Sequence, residues 1–331
     1  MSETQSNSRI RRTALGGIIA AGAGLFLLGG GAGWWMATQP PPKPPLATAS
    51  VDEKSLEASP FGGHVHALAI NPETNELFVG ARPIYRSRDG GQTWTAIAGI
   101  PQEAARANIT ALAIDPQNPQ VMYATGHGRG IVKSTDGGTT WIPKSEGLSS
   151  DVVEAIAVDV KNSDQVYAWV LKDGLYRSTN AGDTWQRVSD GPENQEIRSL
   201  ASVGYPTEMG GIWLYAGLDT GVTKSPDCFC GWDNLANDGL PANQRVYSVA
   251  ADPRDFQTLY AGTREGVYKT EDAGETWRLV QAGIPDAVIT VNAADPQQVY
   301  AISSNGQLWR SQDAGTSWAA IESAESSRAK R

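Results

Sequence analysis

Two short stretches of the sequence pair residues that can do chemistry. His64-Val65-His66 sets two imidazoles two positions apart, and on an extended chain such positions point to one face. Two histidines on one face are half of a metal site, and a third His, a carboxylate or water has to complete it. A polar pair at a channel mouth is the plainer explanation. Cys228-Phe229-Cys230 holds both cysteines of the chain. In an oxidising compartment an even cysteine count reads as a disulfide, here a tight local one, with a thiol pair for metal or redox work as the alternative. Arg82, Arg106, Arg129, Arg198, Arg245 and Arg264 form a third set, candidates for a partner-binding surface. Glu103, Asp151, Glu154, Asp173, Glu196, Asp219 and Glu265 accompany them, so a mixed, solvated rim competes with a cationic patch. The sequence has no nucleophile elbow, phosphate loop or zinc-protease motif, and nothing in it calls for a cofactor.

What positions these residues is a repeat. The run YRSRDGGQTW at 85–94 recurs as VKSTDGGTTW, YRSTNAGDTW, TKSPDCFCGW, YKTEDAGETW and WRSQDAGTSW. The closing tryptophans Trp94, Trp141, Trp185, Trp232, Trp277 and Trp318 lie 47, 44, 47, 45 and 41 residues apart, a period that signals a repeat architecture. Each unit reads as the second does: ITALAIDP, QVMYATG, GIVKSTDGG, TTWIPKS. Three short β-rich runs and a fourth that starts at the Trp make a four-stranded meander. Its apolar face cannot be buried alone, and several units around an axis bury each face against the next. The expected fold is all-β: a six-bladed β-propeller of four-stranded antiparallel blades over 64–322, followed by a polar tail, 323–331. A seventh, degenerate unit in the long stretch 191–213 is the alternative. That stretch also carries Tyr205-Pro206 and Trp213, which would either anchor a partner or a sugar, or fill core space.

Repetition separates scaffold from site. Asp89, Asp136, Asn180, Asp227, Asp272 and Asp313 recur in every hairpin; their side chains can accept backbone N–H bonds across the turn, while the tryptophans pack into the blade. They are structural, as are the basic residues before each hairpin, Arg86, Lys133, Arg177, Lys224, Lys269 and Arg310. Features of a single unit are the candidates for function. In this register the loops from fourth strand to next first strand, and the turns from second to third, emerge on one face with the six arginines. The histidine pair opens the first strand beside the axis.

The N-terminus has a different character. Arg9, Arg11 and Arg12 lie in a basic region, 1–12, ahead of a signal or transmembrane helix, 13–37, inside an uncharged run long enough to cross a bilayer. PPPKPP at 40–45 sits in a Pro-rich linker, 38–63, that reads as an extended spacer; part of it, 51–63, is a candidate for lending a strand to the ring. The basic region should stay cytoplasmic, so the repeats are expected on the periplasmic, lumenal or extracellular side, anchored to the membrane. Adjacent arginines admit a twin-arginine route as well as the general one. A formal charge of −9 argues against wrapping nucleic acid.

The pattern Ser-x-Asp-x-Gly-x-Thr-Trp resembles the Asp box, or bacterial neuraminidase repeat, of sialidases, xyloglucan-cleaving glycosidases, sortilin-type receptors and the photosystem II stability and assembly factor family. The likeness covers about four-fifths of the chain and implies the propeller. In the assembly-factor family arginines on the propeller mark the partner surface, which implies an exported, non-catalytic protein-binding or assembly role. The alternative it implies is a glycoside hydrolase acting on a glycan. A sialidase would need an Arg-Ile-Pro motif and a Tyr nucleophile; the nearest string, Arg82-Pro83-Ile84, has the same residues in the wrong order. Sortilin-type chains carry a cysteine-rich module after the propeller, which the two cysteines here do not provide.

Overall fold

A computed structural model describes residues 61, 64–98, 108–204 and 211–322. It contains six four-stranded antiparallel sheets, each built from strands consecutive in sequence. We number them blades one to six: 67–96, 109–143, 153–189, 199–234, 246–282 and 288–321. The innermost strands are Ala67–Ile70, Ile109–Ile114, Val153–Val158, Ser199–Val203, Val246–Ala251 and Val288–Val291. Each packs against its neighbours on both sides, and the strand of blade six packs against that of blade one, so the ring closes. The described strands include no seventh sheet. Within 191–213, residues 199–203 instead form the first strand of blade four and Trp213 opens its second, while 205–210, with Tyr205-Pro206, lie outside the described residues. The N-terminal regions 1–60 and the tail from 323 also lie outside them. Among the described residues no helix is long and apolar enough to cross a membrane. Every blade is made only of its own consecutive strands, and Val65 N donates to Ser304 O at 3.1 Å, tying the lead-in of blade one to blade six.

The sequence pattern explains the layering. Second strands such as Met122–Gly126 and Val166–Val170 are buried throughout, whereas the outer strands Thr95–Ala96 and Ile142–Pro143 are exposed. The apolar clusters lie between blades rather than within them: Phe78 and Ile84 of blade one meet Met122 and Trp141 of blade two, and Leu77 and Val79 meet Tyr300 and Ile302 of blade six. A blade buries its faces only against neighbours, which is why closure and stability go together.

The hairpins act as clasps. In blade two the Asp136 carboxylate accepts from the Thr139 and Thr140 amides at 3.0 and 2.9 Å, from Thr140 Oγ1 at 2.6 Å and from Ser134 Oγ at 2.8 Å. Asn180 does the same work in blade three, accepting from the Thr184 amide and donating to Thr184 Oγ1, each at 2.9 Å. Blade four departs from the pattern. Gly231 has no hydroxyl to offer, Ser225 Oγ donates to Gly231 O at 2.6 Å, and a Cys228–Cys230 disulfide closes the turn. Phe229 stands where the other clasps have glycine, at φ 51°, and its ring meets Tyr167 edge-on at 5.5 Å.

Three of the clasps, in blades three, five and six, also tie two blades, a feature the repeat comparison of the sequence passed over. Tyr123 of blade two donates to Ala181 O in the clasp of blade three at 2.8 Å. Tyr215 and Tyr260 do the same to Ala273 O and Ala314 O, at 3.1 and 2.8 Å. A Cβ on Gly182 would come within 2.8 Å of the Tyr123 ring, so glycine there gives the aromatic room. The periodic lysines join in: Lys133 Nζ reaches Ala181 O at 2.7 Å and lies over the Tyr123 ring.

Candidate functional site: the axial mouth

The non-repeating residues converge at one end of the propeller axis. A cavity of 340 Å³ opens there, and all six blades contribute to its lining. His64 and His66 enter from the lead-in to blade one, just before its first strand rather than within it, with ring centroids 6.3 Å apart. His127, from the turn between the second and third strands of blade two, lies 2.7 Å from Glu154 Oε1 on the innermost strand of blade three. The three histidines of the chain therefore share one cavity. His66 is open to solvent yet walled by protein; desolvation and the neighbouring His64 hold its pKa below the ordinary histidine value.

The opposite wall is built on arginine. Arg198, one residue before the innermost strand of blade four, forks onto Asp219 with Nε at 3.1 Å and Nη2 at 3.0 Å. Arg245 of blade five reaches the same carboxylate at 2.7 Å and lies 5.8 Å over the Tyr247 ring. The hydrogen bond to Arg198 raises the arginine's pKa and lowers that of Asp219, despite partial desolvation of both. On the blade-six side Ser304 Oγ donates to Asp286 Oδ2 at 3.3 Å. Tyr247 also bonds to Asp286, and burial together with that bond raises the phenol's pKa. Below, the axis narrows to an 80 Å³ waist that Leu68, Leu112, Ile156, Leu200, Val249 and Ile289 line, one side chain from each blade.

The five described arginines of the set do not form one patch. Arg82 and Arg264 are exposed on the turns of this face, and Arg82 Nε donates to Asn108 Oδ1 at 3.1 Å. Arg198 and Arg245 line the mouth. Arg106 lies outside the described residues. Arg129, expected on the rim, is 7 % exposed. The amides of Gly128, Arg129 and Gly130 all point at Asp151 O, which folds that turn back under its neighbour, and burial pulls the guanidinium down to about 10. His127 was missed as a candidate, although it lies on the same turn as Arg129 and the register already placed that turn on this face. Among the described residues no group of three or more His, Cys, Asp or Glu is placed to hold a metal ion. The hairpin aspartates lie in the turns between third and fourth strands, none of them among the residues that line the mouth.

Comparison with known proteins supports this architecture. The Sortilin-Vps10 family model, described as sortilin, neurotensin receptor 3, matches residues 82–197. A probable oligoxyloglucan-reducing end-specific xyloglucanase of Neosartorya fischeri is 37 % identical over 79 residues, 22 % of this chain and 10 % of that protein. The corresponding enzyme of Emericella nidulans shows the same identity and coverage. The chain thus aligns with about a tenth of the length of these curated relatives. Among solved structures, the GH74 enzyme of Niastella koreensis superposes with a TM-score of 0.60 at 21 % identity, over 80 % of this chain and 46 % of that one. The GH74 xyloglucanase of Xanthomonas campestris gives 0.55 at 21 %, over 79 % and 45 %. At these identities the likeness establishes the fold, a β-propeller, and leaves function to the residues of the mouth.

Proposed function

We propose that the chain is a non-catalytic β-propeller that binds a protein partner through the face carrying the axial mouth, as an assembly factor held outside a membrane by its N-terminal segment. The pairing of two carboxylates at this end of the axis, Glu154 in the mouth and Asp219 behind its arginines, carries this reading. Asp219 is clamped by two arginines and Glu154 by His127. A glycosidase needs one carboxyl whose pKa is raised so that it can protonate the leaving oxygen, and Asp219 is shifted the other way. Exposed Arg82 and Arg264 frame the mouth on loops held by a rigid ring, the usual setting of a contact surface. Export rests on the arginine-led uncharged run at 13–39 and the Pro-rich spacer.

The xyloglucanase matches favour a second reading, a glycoside hydrolase of propeller fold. Photocrosslinking from the mouth face, set against the opposite face, tests the first; release of new reducing ends from xyloglucan oligosaccharides measures the second.

A further inference from the structure

The hairpin of blade four carries a reactive group that the other five lack. Cys228 and Cys230 are both exposed in the turn between its third and fourth strands, bonded to each other across a single residue. The other five hairpins close without sulfur. This one also has bonds that bypass the disulfide: Phe229 N donates to Pro226 O at 2.9 Å, Ser225 Oγ to Gly231 O at 2.6 Å and Thr223 Oγ1 to Asp233 O at 2.6 Å. The Phe229 ring fixes the turn to Tyr167 of blade three. A bridge between positions two apart joins no distant parts of the chain, and a loop so short gains least from chain entropy. Exposed disulfides are the ones that exchange readily with thiols.

The two sulfurs are not equivalent. The Cys230 amide donates to Cys228 Sγ at 3.4 Å. A hydrogen bond favours the charged form of the group that accepts it, so a thiolate forming on Cys228 meets a donor already in place. The more stable the leaving thiolate, the faster it leaves. An incoming thiolate is therefore directed to Cys230, whose side chain is open to solvent.

We infer that the blade-four hairpin is a thiol–disulfide exchange site that passes its disulfide to a dithiol substrate, an exposed pair of cysteine thiols in another polypeptide. One thiolate of the pair attacks Cys230 Sγ; the bond between Cys228 and Cys230 breaks, and its electron pair leaves on Cys228 Sγ. The second thiolate of the pair then attacks the substrate sulfur of the mixed disulfide and releases Cys230 as a thiolate. The two protons given up by the substrate pass through solvent to Cys228 and Cys230. The substrate is oxidised by two electrons and the hairpin reduced by two, one disulfide per chain. The transfer is stoichiometric, and neither cysteine is among the residues that line the mouth, so it stands or falls apart from partner binding there.

The test is anaerobic mixing of the purified, oxidised full chain with a reduced synthetic peptide that carries two cysteines, stopped with acid and mapped by mass spectrometry. One peptide disulfide should appear for every two thiols gained by the chain, at least about tenfold faster than with oxidised glutathione at the same concentration and pH. The same peptide with one cysteine replaced by serine should stop at a mixed disulfide, located on Cys230 with Cys228 free. The Cys228→Ser, Cys230→Ser variant should leave the peptide reduced. The reduced wild-type chain should still melt in one cooperative transition, which separates exchange from unfolding. Peptide oxidation no faster than with oxidised glutathione, a mixed disulfide on Cys228, or loss of the cooperative transition on reduction would overturn the inference. Crosslinks from the mouth face are read separately and do not depend on any of these results.

Discussion

Replacing Trp185 asks how much of the ring's stability sits in one clasp. Trp185 is 3 % exposed, packed in the cluster between blades two and three. Its indole Nε1 donates to Lys144 O at 2.8 Å and its amide to Glu146 O at 2.9 Å, both in the chain leaving blade two. A buried Trp removes about 150–250 Å² from water, worth roughly 4–6 kcal/mol at about 25 cal/mol per Å². Measured Trp→Ala costs of about 3–5 kcal/mol agree, and the lost hydrogen bond adds about 1 kcal/mol. At about 2–4 °C per kcal/mol for a domain of this size, Trp185→Ala should lower Tm by about 8 °C or more. Trp185→Phe keeps most of the ring burial and strands Lys144 O, a loss of about 1–2 kcal/mol. Trp318→Ala is the internal control: that indole is half-buried and bonds only its own turn, at Gly315 O, so its cost should be less than half. Calorimetric melts of the three variants decide the matter. A change under about 2 °C for Trp185→Ala, or equal losses for Trp185→Ala and Trp318→Ala, would refute the claim that clasp tryptophans weld neighbouring blades.

Two further outcomes follow from the titrating groups and from blade four. His66 titrates below its ordinary 6.5 in the fold because of desolvation and His64, so its contribution is present at neutral pH and is lost as pH falls below about 6.5; His66→Gln should remove that first decline in a urea-stability profile. The Thr140 and Ser317 hydroxyl bonds pull Asp136 and Asp313 from 3.8 to about 2, so a second decline belongs between about pH 4 and pH 2 and shrinks in Asp136→Asn with Asp313→Asn. In blade four the Cys228–Cys230 bond closes a loop of three residues, for which chain entropy gives about 1.5 kcal/mol. Reduction by a dithiol should lower Tm by about 3–6 °C, and the Cys228→Ser, Cys230→Ser variant should show the same Tm with or without reductant.

The parts of the molecule readable from sequence were those written in neighbouring residues. Ser134, Asp136, Gly138, Thr140 and Trp141 close their turn within eight positions, so spacing alone conveys the clasp, and six spaced copies convey the ring. The anomaly of blade four was also visible, since Phe229 and Gly231 break the pattern where the disulfide forms. The tyrosine ties were less accessible: Tyr123, Tyr215 and Tyr260 are periodic, but their acceptors lie 54 to 58 residues ahead in the next blade. The mouth was hardest, because each blade contributes one to three residues with no shared motif. Register alone put Arg198 and Arg245 on the face that carries the mouth. It could not show that Asp219 clamps them, that Arg129 folds inward, or that His127 joins the histidine pair, since these depend on how separate turns fill space.

Partner binding by the mouth face is tested most directly by placing a photoreactive amino acid at position 82 or 264 on that face, or at Glu73 or Arg254 on the turns between first and second strands, in cells that make the protein. A discrete protein adduct from 82 and 264, absent from 73 and 254, is expected. Adducts only from 73 and 254, or none from any site together with sustained release of xyloglucan reducing ends that Asp219→Asn abolishes, would contradict it.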